Sequence, residues 1–172
     1  MSLELEQSLS RGFHSVGRIY IVDSMLGRTA RWLRILGLNV VYNPSLSDDE
    51  LIELALRLKA TILTRDKGLA AEASRLGLEV LEVFGGTEVE RVGFLLRRLG
   101  LKPVIDPSRS RCPVCNQTLK EASKRQVVDL VPKAVLNRQD RFWICTGCGK
   151  VYWLGSHFRN MKKFLERCLS EG

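Results

Sequence analysis

The sequence predicts an α/β fold in which a domain built on a parallel β-sheet is followed by a small module that carries four cysteines and ends in a helix. Two observations predict it. Short apolar runs alternate with amphipathic segments of helical length from Arg18 onward, and two C-x-x-C pairs lie beyond residue 111. The composition, 45% apolar and 27% charged residues, is typical of a globular protein with its own core.

The alternating segments give the order of the elements in the first domain. The apolar runs span residues 19–22, 40–42, 61–63 and 80–83, and the amphipathic segments span residues 26–36, 48–58, 67–76 and 88–99. Helices of this length between short apolar strands predict βαβ crossovers, and therefore a parallel sheet that is covered by helices on both faces.

We expect four segments along the chain. Residues 1–17 form an N-terminal extension, residues 18–100 the α/β domain, residues 101–111 a linker with two prolines, and residues 112–172 the cysteine module with its final helix. That helix begins near Ser156 and has an apolar face, which predicts that it packs back on the body. The face consists of Phe158, Met161, Leu165, Cys168 and Leu169.

Positive charge is concentrated in the last part of the chain. Residues 1–100 contain 13 Lys and Arg against 13 Asp and Glu, whereas residues 101–172 contain 14 against 6, a net charge of +8. A module with this charge is suited to nucleic acid, because lysine and arginine bind phosphates. A charged surface that only keeps the protein in solution is the alternative.

The apolar segments are too short to predict a membrane protein. None approaches the roughly 20 apolar residues of a membrane helix, and residues 1–18 lack the apolar stretch of a signal peptide. We therefore predict a cytoplasmic protein with no membrane partner. In a reducing compartment, paired C-x-x-C units indicate a metal site more often than a disulfide.

The four paired cysteines predict one structural zinc ion held in a zinc ribbon. They are Cys112, Cys115, Cys145 and Cys148. Each C-x-x-C turn presents two thiolates, and two such turns complete a tetrahedral site that has no open position for water, so catalytic zinc is not expected. A redox C-x-x-C pair and an iron–sulfur cluster are the competing interpretations. Cys168, on the apolar face of the last helix, is predicted to be a core residue.

Aromatic residues flank the second cysteine pair and alternate with basic ones. They are Phe142, Trp143, Tyr152 and Trp153, together with Arg141 and Lys150. Two interpretations stay open, since such residues can stack on nucleic-acid bases or form the small core of the ribbon. For His157 we expect packing or capping near the start of the last helix.

Acidic residues lie where predicted strands end or helices begin. Asp23 follows the first strand, Asp66 follows the third, and Asp48, Asp49 and Glu50 open the helix after the second. The carboxyl ends of parallel strands share one edge, and clustered carboxylates favour Mg²⁺ or Mn²⁺. The alternative is structural, because Ser47 and Glu50 fit a capping box and Asp66 fits a helix N-cap.

Several strings, in this order, resemble the Mut-seven C-terminal (Mut7-C) ribonuclease family. They are VDSMLGRTARWLRILG, SDDELIELAL, ATILTRDKGLA and, after the second cysteine pair, YWLGSHFRNM. The resemblance covers essentially residues 18–169. Because that family is placed among PIN-like domains fused to a zinc ribbon, the resemblance implies a PIN-like fold and Mg²⁺- or Mn²⁺-dependent hydrolysis of RNA.

The resemblance also implies roles for individual residues. Carried over by position, Asp23, Asp49 and Asp66 are metal ligands and catalytic residues, and Asp48 is a further catalytic residue. PIN enzymes usually have another acid before Asp48, but residues 24–47 contain none. The resemblance therefore implies a reduced site.

Basic residues accompany these acids. Arg28, Arg31 and Arg34 follow Asp23 at intervals of three and predict a basic stripe along one helix, and Arg65 and Lys67 flank Asp66. We expect Arg28, Arg31, Arg65 and Lys67 to bind substrate phosphates. Ordinary surface charges with buried stems are the alternative.

The leading functional hypothesis is a metal-dependent ribonuclease whose basic zinc ribbon holds RNA, with ribosomal or transfer RNA as candidate partners. The second is a non-catalytic RNA-binding or ribosome-associated protein that keeps the PIN-like fold as a scaffold. A third, an endonuclease of ribosome maturation, shares the chemistry of the first and differs only in substrate.

Overall fold

Four parallel strands form the sheet of the first domain in the computed structural model, which describes residues 17–171. The strands are β1 (Ile19–Val22), β2 (Asn39–Tyr42), β3 (Thr61–Thr64) and β4 (Val80–Glu82), in the order β2-β1-β3-β4. Every neighbouring pair is parallel, which confirms the predicted sheet. The expected N-terminal extension lies, apart from Gly17, outside the described residues.

Helices follow the strands as the periodicity predicts. They are α1 (Gly27–Ile35), preceded by a 3-10 helix (Ser24–Leu26), α2 (Asp48–Leu58), α3 (Lys67–Arg75) and α4 (Glu88–Arg98). The helices α2 and α4 begin at complete capping boxes, formed by Ser47 with Glu50 and by Thr87 with Glu90. Each box satisfies backbone N–H groups that a helix leaves unpaired at its start.

The alternation of side chains along each strand separates two cores. Tyr20 and Val22 of β1 pack with Leu33 of α1 and Leu95 of α4. Ile21, which lies between them, belongs to the second core, formed with residues of α2 and α3. The sheet is therefore a middle layer between two pairs of helices.

The cysteine module is built on a second, antiparallel sheet. Its strands are β5 (Leu119–Ala122), β6 (Phe142–Cys145) and β7 (Val151–Trp153), with β6 in the centre. The segment between β5 and β6 contains two short helices, α5 (Lys124–Val127) and α6 (Lys133–Leu136). Phe142 is fully buried against this segment.

The final helix α7 (Ser156–Ser170) packs on α4, as its apolar face predicts. Leu165 and Cys168 are buried against Val92 and Leu96. Leu169 differs from the prediction, because it is exposed: α4 covers the side of the helix that carries Cys168, and the next residue is already rotated away from it. Within residues 17–171, no helix has the length and apolar character needed to cross a membrane.

The cysteine module also covers the edge strand β2. The backbone N–H of Val40 donates to Oδ1 of Asn116 at 3.0 Å, and Nδ2 of Asn116 donates to Oδ1 of Asn39 at 2.7 Å. Asn116 has a φ of 66°, in the left-handed region that asparagine enters more readily than most residues. Part of the hydrogen-bonding edge of β2 is thereby closed by the turn that follows Cys115.

Candidate functional site

The four paired cysteines form one cluster that can hold a zinc ion. The sulfur atoms of Cys112, Cys115, Cys145 and Cys148 all lie within 4.8 Å of one another. The Sγ atoms of Cys112 and Cys148 are 3.7 Å apart, and those of Cys115 and Cys145 are 3.2 Å apart. Tetrahedral zinc with bonds of about 2.3 Å requires sulfur separations of about 3.8 Å. The donor set and its dimensions therefore fit zinc.

Further groups support these sulfurs. The backbone N–H groups of Gly147 and Cys148 donate to Sγ of Cys145 at 3.4 and 3.5 Å. The hydroxyl of Tyr152 lies 3.1 Å from Sγ of Cys112 and can donate to it when that sulfur is a thiolate. Burial and the neighbouring Cys112 sulfur raise the pKa of Tyr152. Hydrogen bonds of this kind orient metal ligands and moderate the charge of thiolates.

Two of the cysteines differ in acidity. A backbone hydrogen bond from Gln117 is the main cause that lowers the pKa of Cys115 to about 6, whereas burial raises the pKa of Cys145 to about 12. Zinc binds thiolates, so its binding must displace a proton from Cys145. The site will accordingly lose affinity for zinc as the pH falls.

Arg34 connects this cluster to the α/β domain. Its Nε donates to the carbonyl of Val40 at 2.9 Å, and its Nη1 donates to the carbonyls of Pro113 and Val114 at 3.1 and 3.2 Å. Pro113 and Val114 are the two residues between Cys112 and Cys115, so the guanidinium holds the first cysteine turn.

The predicted basic stripe is therefore wrong at Arg34, which is only 5% exposed. Burial lowers the pKa of Arg34, and the nearby sulfurs of Cys112 and Cys115 act in the opposite direction. An arginine remains charged under all ordinary conditions. Its positive charge is thus fixed beside a cluster that is negative when its cysteines are thiolates.

The second candidate site lies at the carboxyl edge of the parallel sheet. Asp23 follows the central strand β1 and is 6% exposed. Its Oδ2 accepts a hydrogen bond from the Thr64 hydroxyl at 2.9 Å, and its Oδ1 accepts bonds from the Ser24 hydroxyl at 3.1 Å and from the Met25 N–H at 3.3 Å. A nearly buried carboxylate is stabilised by such donors.

Thr64 links Asp23 to Asp66. Its hydroxyl donates to Asp23 and accepts the backbone N–H of Asp66 at 2.9 Å. Asp66 is exposed and caps α3, because its Oδ1 accepts the N–H groups of Gly68 and Leu69 at 2.6 and 3.0 Å. The structure thus brings these two acids to one hydroxyl at the ends of adjacent strands.

Asp48 and Asp49 are the first two residues of α2, the helix that follows β2, and both are exposed. Because β1 lies between β2 and β3, Asp23 follows an inner strand of the sheet, and Asp66 follows the neighbouring strand β3. Within residues 17–171, however, the cysteines are the only group of three or more metal-ligating side chains close enough for one ion. The three acids share an edge without forming such a group.

The predicted phosphate-binding residues lie on the surface near this edge. Arg28 and Arg31 are exposed on α1, and Arg65 and Lys67 are exposed on either side of Asp66. Arg31 and Arg34 are only three positions apart, yet one is exposed and the other buried. The cysteine module decides the difference, because it covers the C-terminal end of α1.

Further residues, which the sequence pattern did not indicate, shape the carboxylate edge. Thr64 is a fully buried polar residue at the end of an apolar strand, and its place in the string T-R-D was the available signal. Tyr42 donates to the carbonyl of Ser24 at 3.1 Å. A Cβ atom on Gly27 would lie 2.5 Å from the Tyr42 hydroxyl oxygen, so only glycine leaves room for this contact.

Glu88 is a further acid that the sequence did not indicate. It opens α4, and its Oε1 accepts a hydrogen bond from the buried Thr29 at 2.7 Å. Arg91 donates to its Oε2 at 3.2 Å. Arg91 neutralises the Glu88 carboxylate. We therefore assign Glu88 a structural role, which is to join α1 to α4 through Thr29.

One comparison with known proteins gives a match. The family model described as the Mut7-C RNAse domain matches residues 18–165. The chain belongs to the Mut7-C RNase family. Comparison with curated proteins and with solved structures gives no significant match. The matched range contains the Mut7-C carboxylate edge and all four cysteines.

The zinc assignment predicts one zinc ion per chain of this Mut7-C protein. Cys145→Ser should lose the metal, because three thiolates leave the tetrahedral site incomplete. Cys168→Ala is the matched control and should keep it, since Cys168 is buried between α4 and α7. Metal analysis of the purified variants is the measurement. Iron with a visible absorption band, or zinc loss in Cys168→Ala, would contradict the assignment.

The position of Arg34 predicts that Arg34→Lys is not a conservative change. Lysine cannot reproduce three hydrogen bonds from one planar group, and each bond from a charged donor contributes about 1.5–3 kcal/mol. We expect a loss of at least about 2 kcal/mol in the free energy of unfolding and faster transfer of zinc to a chelator. Arg31→Lys, one turn earlier and exposed, is the control. Equal behaviour of the two variants would show that Arg34 does not hold the cysteine turn.

Because the Thr64 hydroxyl bonds Asp23, we expect Thr64→Val and Thr61→Val, both on β3, to differ in the free energy of unfolding. Thr64→Val leaves the nearly buried Asp23 without one partner and should cost about 1–3 kcal/mol of unfolding free energy. Thr61→Val removes a bond to Glu79, whose side chain is 46% exposed and can bind water instead. Chemical denaturation measures both, and a larger loss for Thr61→Val would refute the role assigned to Thr64.

Proposed function

We propose that this protein is a Mg²⁺- or Mn²⁺-dependent ribonuclease that hydrolyses RNA phosphodiesters at the carboxyl edge of its parallel sheet, while the basic ribbon holds the RNA. The observation that carries the proposal is the Asp23–Thr64–Asp66 arrangement in a chain of the Mut7-C RNase family. The reducing cytoplasm, where its cysteines stay free to bind zinc, is the compartment we propose for it.

The residues at this edge fit a hard divalent cation. Mg²⁺ usually binds through one or two carboxylates and completes its shell with water and substrate phosphates. Asp23 and Asp66 supply two carboxylates, and the exposed Asp49 supplies a third from the first turn of α2. We assign the metal to these three acids and a supporting catalytic role to Asp48. The shortage of protein ligands is consistent with a site that RNA phosphates complete.

The remaining residues of the edge suit the other tasks of the reaction. A bound cation of this kind supplies an activated water and stabilises the leaving oxygen. The Thr64 hydroxyl and the N–H of Met25 donate to Asp23 and orient its carboxylate. We assign phosphate binding to four exposed basic residues, of which two lie on α1 and two are the chain neighbours of Asp66: Arg28, Arg31, Arg65 and Lys67.

The distribution of charge supports separate roles for the two ends of α1, with cleavage at its N-terminal end and RNA binding at its C-terminal end. Asp23 precedes the N-terminal end of this helix, and the ribbon contacts its C-terminal end through Arg34. The nine residues of α1 span about 14 Å, with Arg28 and Arg31 exposed between the two ends. An RNA strand that crosses this distance meets positive charge along the way and the ribbon, in the segment with net charge +8, at the far end.

One observation favours the second hypothesis, a non-catalytic RNA-binding or ribosome-associated protein. Among the described residues, the acids of the edge do not form a group of three ligands around one position. If they stay apart when RNA binds, the PIN-like domain is a scaffold and the ribbon carries the function.

The ribonuclease proposal predicts RNA cleavage in the presence of Mn²⁺. The double variant Asp23→Asn, Asp66→Asn should lower the rate by about a hundredfold or more, as expected when charged groups that stabilise a transition state are removed. The matched control is Asp129→Asn, Asp140→Asn, which makes the same change in charge at two exposed acids of the ribbon segment. Cleavage of a labelled single-stranded RNA measures all three proteins.

The outcomes separate the two hypotheses. Equal rates of RNA cleavage by the two double variants would contradict the ribonuclease proposal. Salt-sensitive RNA binding without cleavage in the unaltered protein would favour the scaffold hypothesis, since phosphate contacts weaken as the salt concentration rises. We expect RNA cleavage to require Mn²⁺ and to be lost only in the Asp23→Asn, Asp66→Asn variant.

A further inference from the structure

The final helix α7 runs beside α1 in the opposite direction. Ile35, at the C-terminal end of α1, borders the same cavity as His157 and Met161 in the first half of α7. About one turn nearer the start of α1, the ring of Trp32 stacks on that of Phe164, with centroids 4.1 Å apart and planes 6° from parallel. The second half of α7 therefore lies along the half of α1 that leads back to the carboxylate edge.

Four exposed cations accompany the stacked rings, two on each helix. They are Arg28 and Arg31 on α1 and Lys163 and Arg167 on α7. In an α-helix, the residues directly before and after a given position point about 100° to either side of it. Leu165, which follows the ring of Phe164, is buried, so Lys163, which precedes it, stands on the outer side. Leu33 and Arg31 are arranged in the same way around Trp32.

The outer sides of the two helices face solvent together. On their inner sides both helices contact α4, because Thr29 of α1 bonds Glu88 at 2.7 Å and Leu165 of α7 is buried in a core that contains residues of α4. Arg28 and Arg167 stand within about one turn of the two rings, on the solvent side as well. We call this strip, with its four cations, the α1–α7 seam.

The seam carries positive charge up to the carboxylate edge. Arg28, its first cation, comes five residues after Asp23. Arg167 is paired with Glu171 at 2.9 Å, and their side chains are 60% and 52% exposed. Ion pairs as exposed as this one contribute little to stability, so a phosphate can replace the glutamate. A row of cations that ends beside the carboxylate edge suits a substrate whose negative charge repeats regularly along its chain, which is RNA.

We propose that an RNA strand reaches the carboxylate edge along the α1–α7 seam. Lys163 and Arg167 of the final helix bind its phosphates on one side of the seam, and the two arginines of α1 bind them on the other. The proposal rests on the proposed function and adds two residues of α7 to its RNA-binding surface. Phosphate contacts fix the position of a nucleic-acid strand without reading its sequence. The seam therefore positions the strand with respect to the carboxylates, whichever bases it carries.

Affinity for RNA can be measured without cleavage in the full chain that carries Asp23→Asn and Asp66→Asn. In this background, Lys163→Gln together with Arg167→Gln should weaken the binding of labelled decauridylate roughly five- to 25-fold at about 0.1 M salt, because two phosphate contacts are lost. The slope of the logarithm of the affinity against that of the salt concentration should become less steep by about 1.4, which is about 0.7 for each contact. Fluorescence anisotropy over a series of salt concentrations measures both quantities.

Two other cations of α7 provide a matched control. Arg159 and Lys162 are exposed, but they lie five and two positions before Phe164, which places them on the opposite side of the helix from that ring. Arg159→Gln together with Lys162→Gln removes the same charge from the same helix. It should leave the salt slope unchanged and weaken decauridylate binding far less. Thermal unfolding of both double variants shows that they are folded.

Three results would overturn the proposal. They are equal decauridylate affinity of the seam variant and the control variant, an absence of RNA binding in the parent chain, and displacement of the RNA by polyglutamate as effectively as by unlabelled decauridylate. The last result would assign the seam to an acidic protein. The ribonuclease proposal fails separately, because a protein that cleaves no RNA while only the seam variant loses RNA affinity keeps the seam as an RNA-binding surface. In a protein that does cleave RNA, the seam substitutions should raise KM and leave kcat unchanged.

Discussion

The position of one buried guanidinium governs how this molecule is assembled. Arg34 accepts burial because three carbonyls, of Val40, Pro113 and Val114, receive its donors. An unpaired charge at that depth would be far too costly to retain. The α/β domain and the ribbon are consequently docked in one relative arrangement, and every longer-range feature depends on it. These features include the closed edge of β2 and the covered C-terminal end of α1.

The docking separates two centres of opposite chemical character. Four sulfur donors lie at one end of α1, and carboxylates lie at the other. Sulfur favours zinc, whereas carboxylate oxygen favours magnesium and manganese, so the two sets of donor atoms suit different ions. The four sulfurs form one cluster that can hold an ion, whereas the acids among residues 17–171 form no group of three.

Local signals explain which features the sequence could predict. The strands, the capping box of Ser47 and Glu50 and the four cysteines depend on spacing within a few residues, and each of these predictions agrees with the structure. Arg34 could not be predicted, because its burial depends on Pro113, 79 residues away in the chain. The link from Asp23 to Asp66 was only half predictable, since strand ends placed both acids on one edge while the joining hydroxyl of Thr64 gave no periodic signal. The prediction for Leu169 was wrong for a related reason. Periodicity identifies the apolar face of a helix, but it does not show how far the neighbouring helix covers that face.

The capping of β2 by Asn116 has a consequence for how such a chain can change over generations. Loss of a module that closes a neighbouring strand and buries a neighbouring charge uncovers both at once. A substitution at Arg34 or Asn116 would therefore disturb both parts of the molecule.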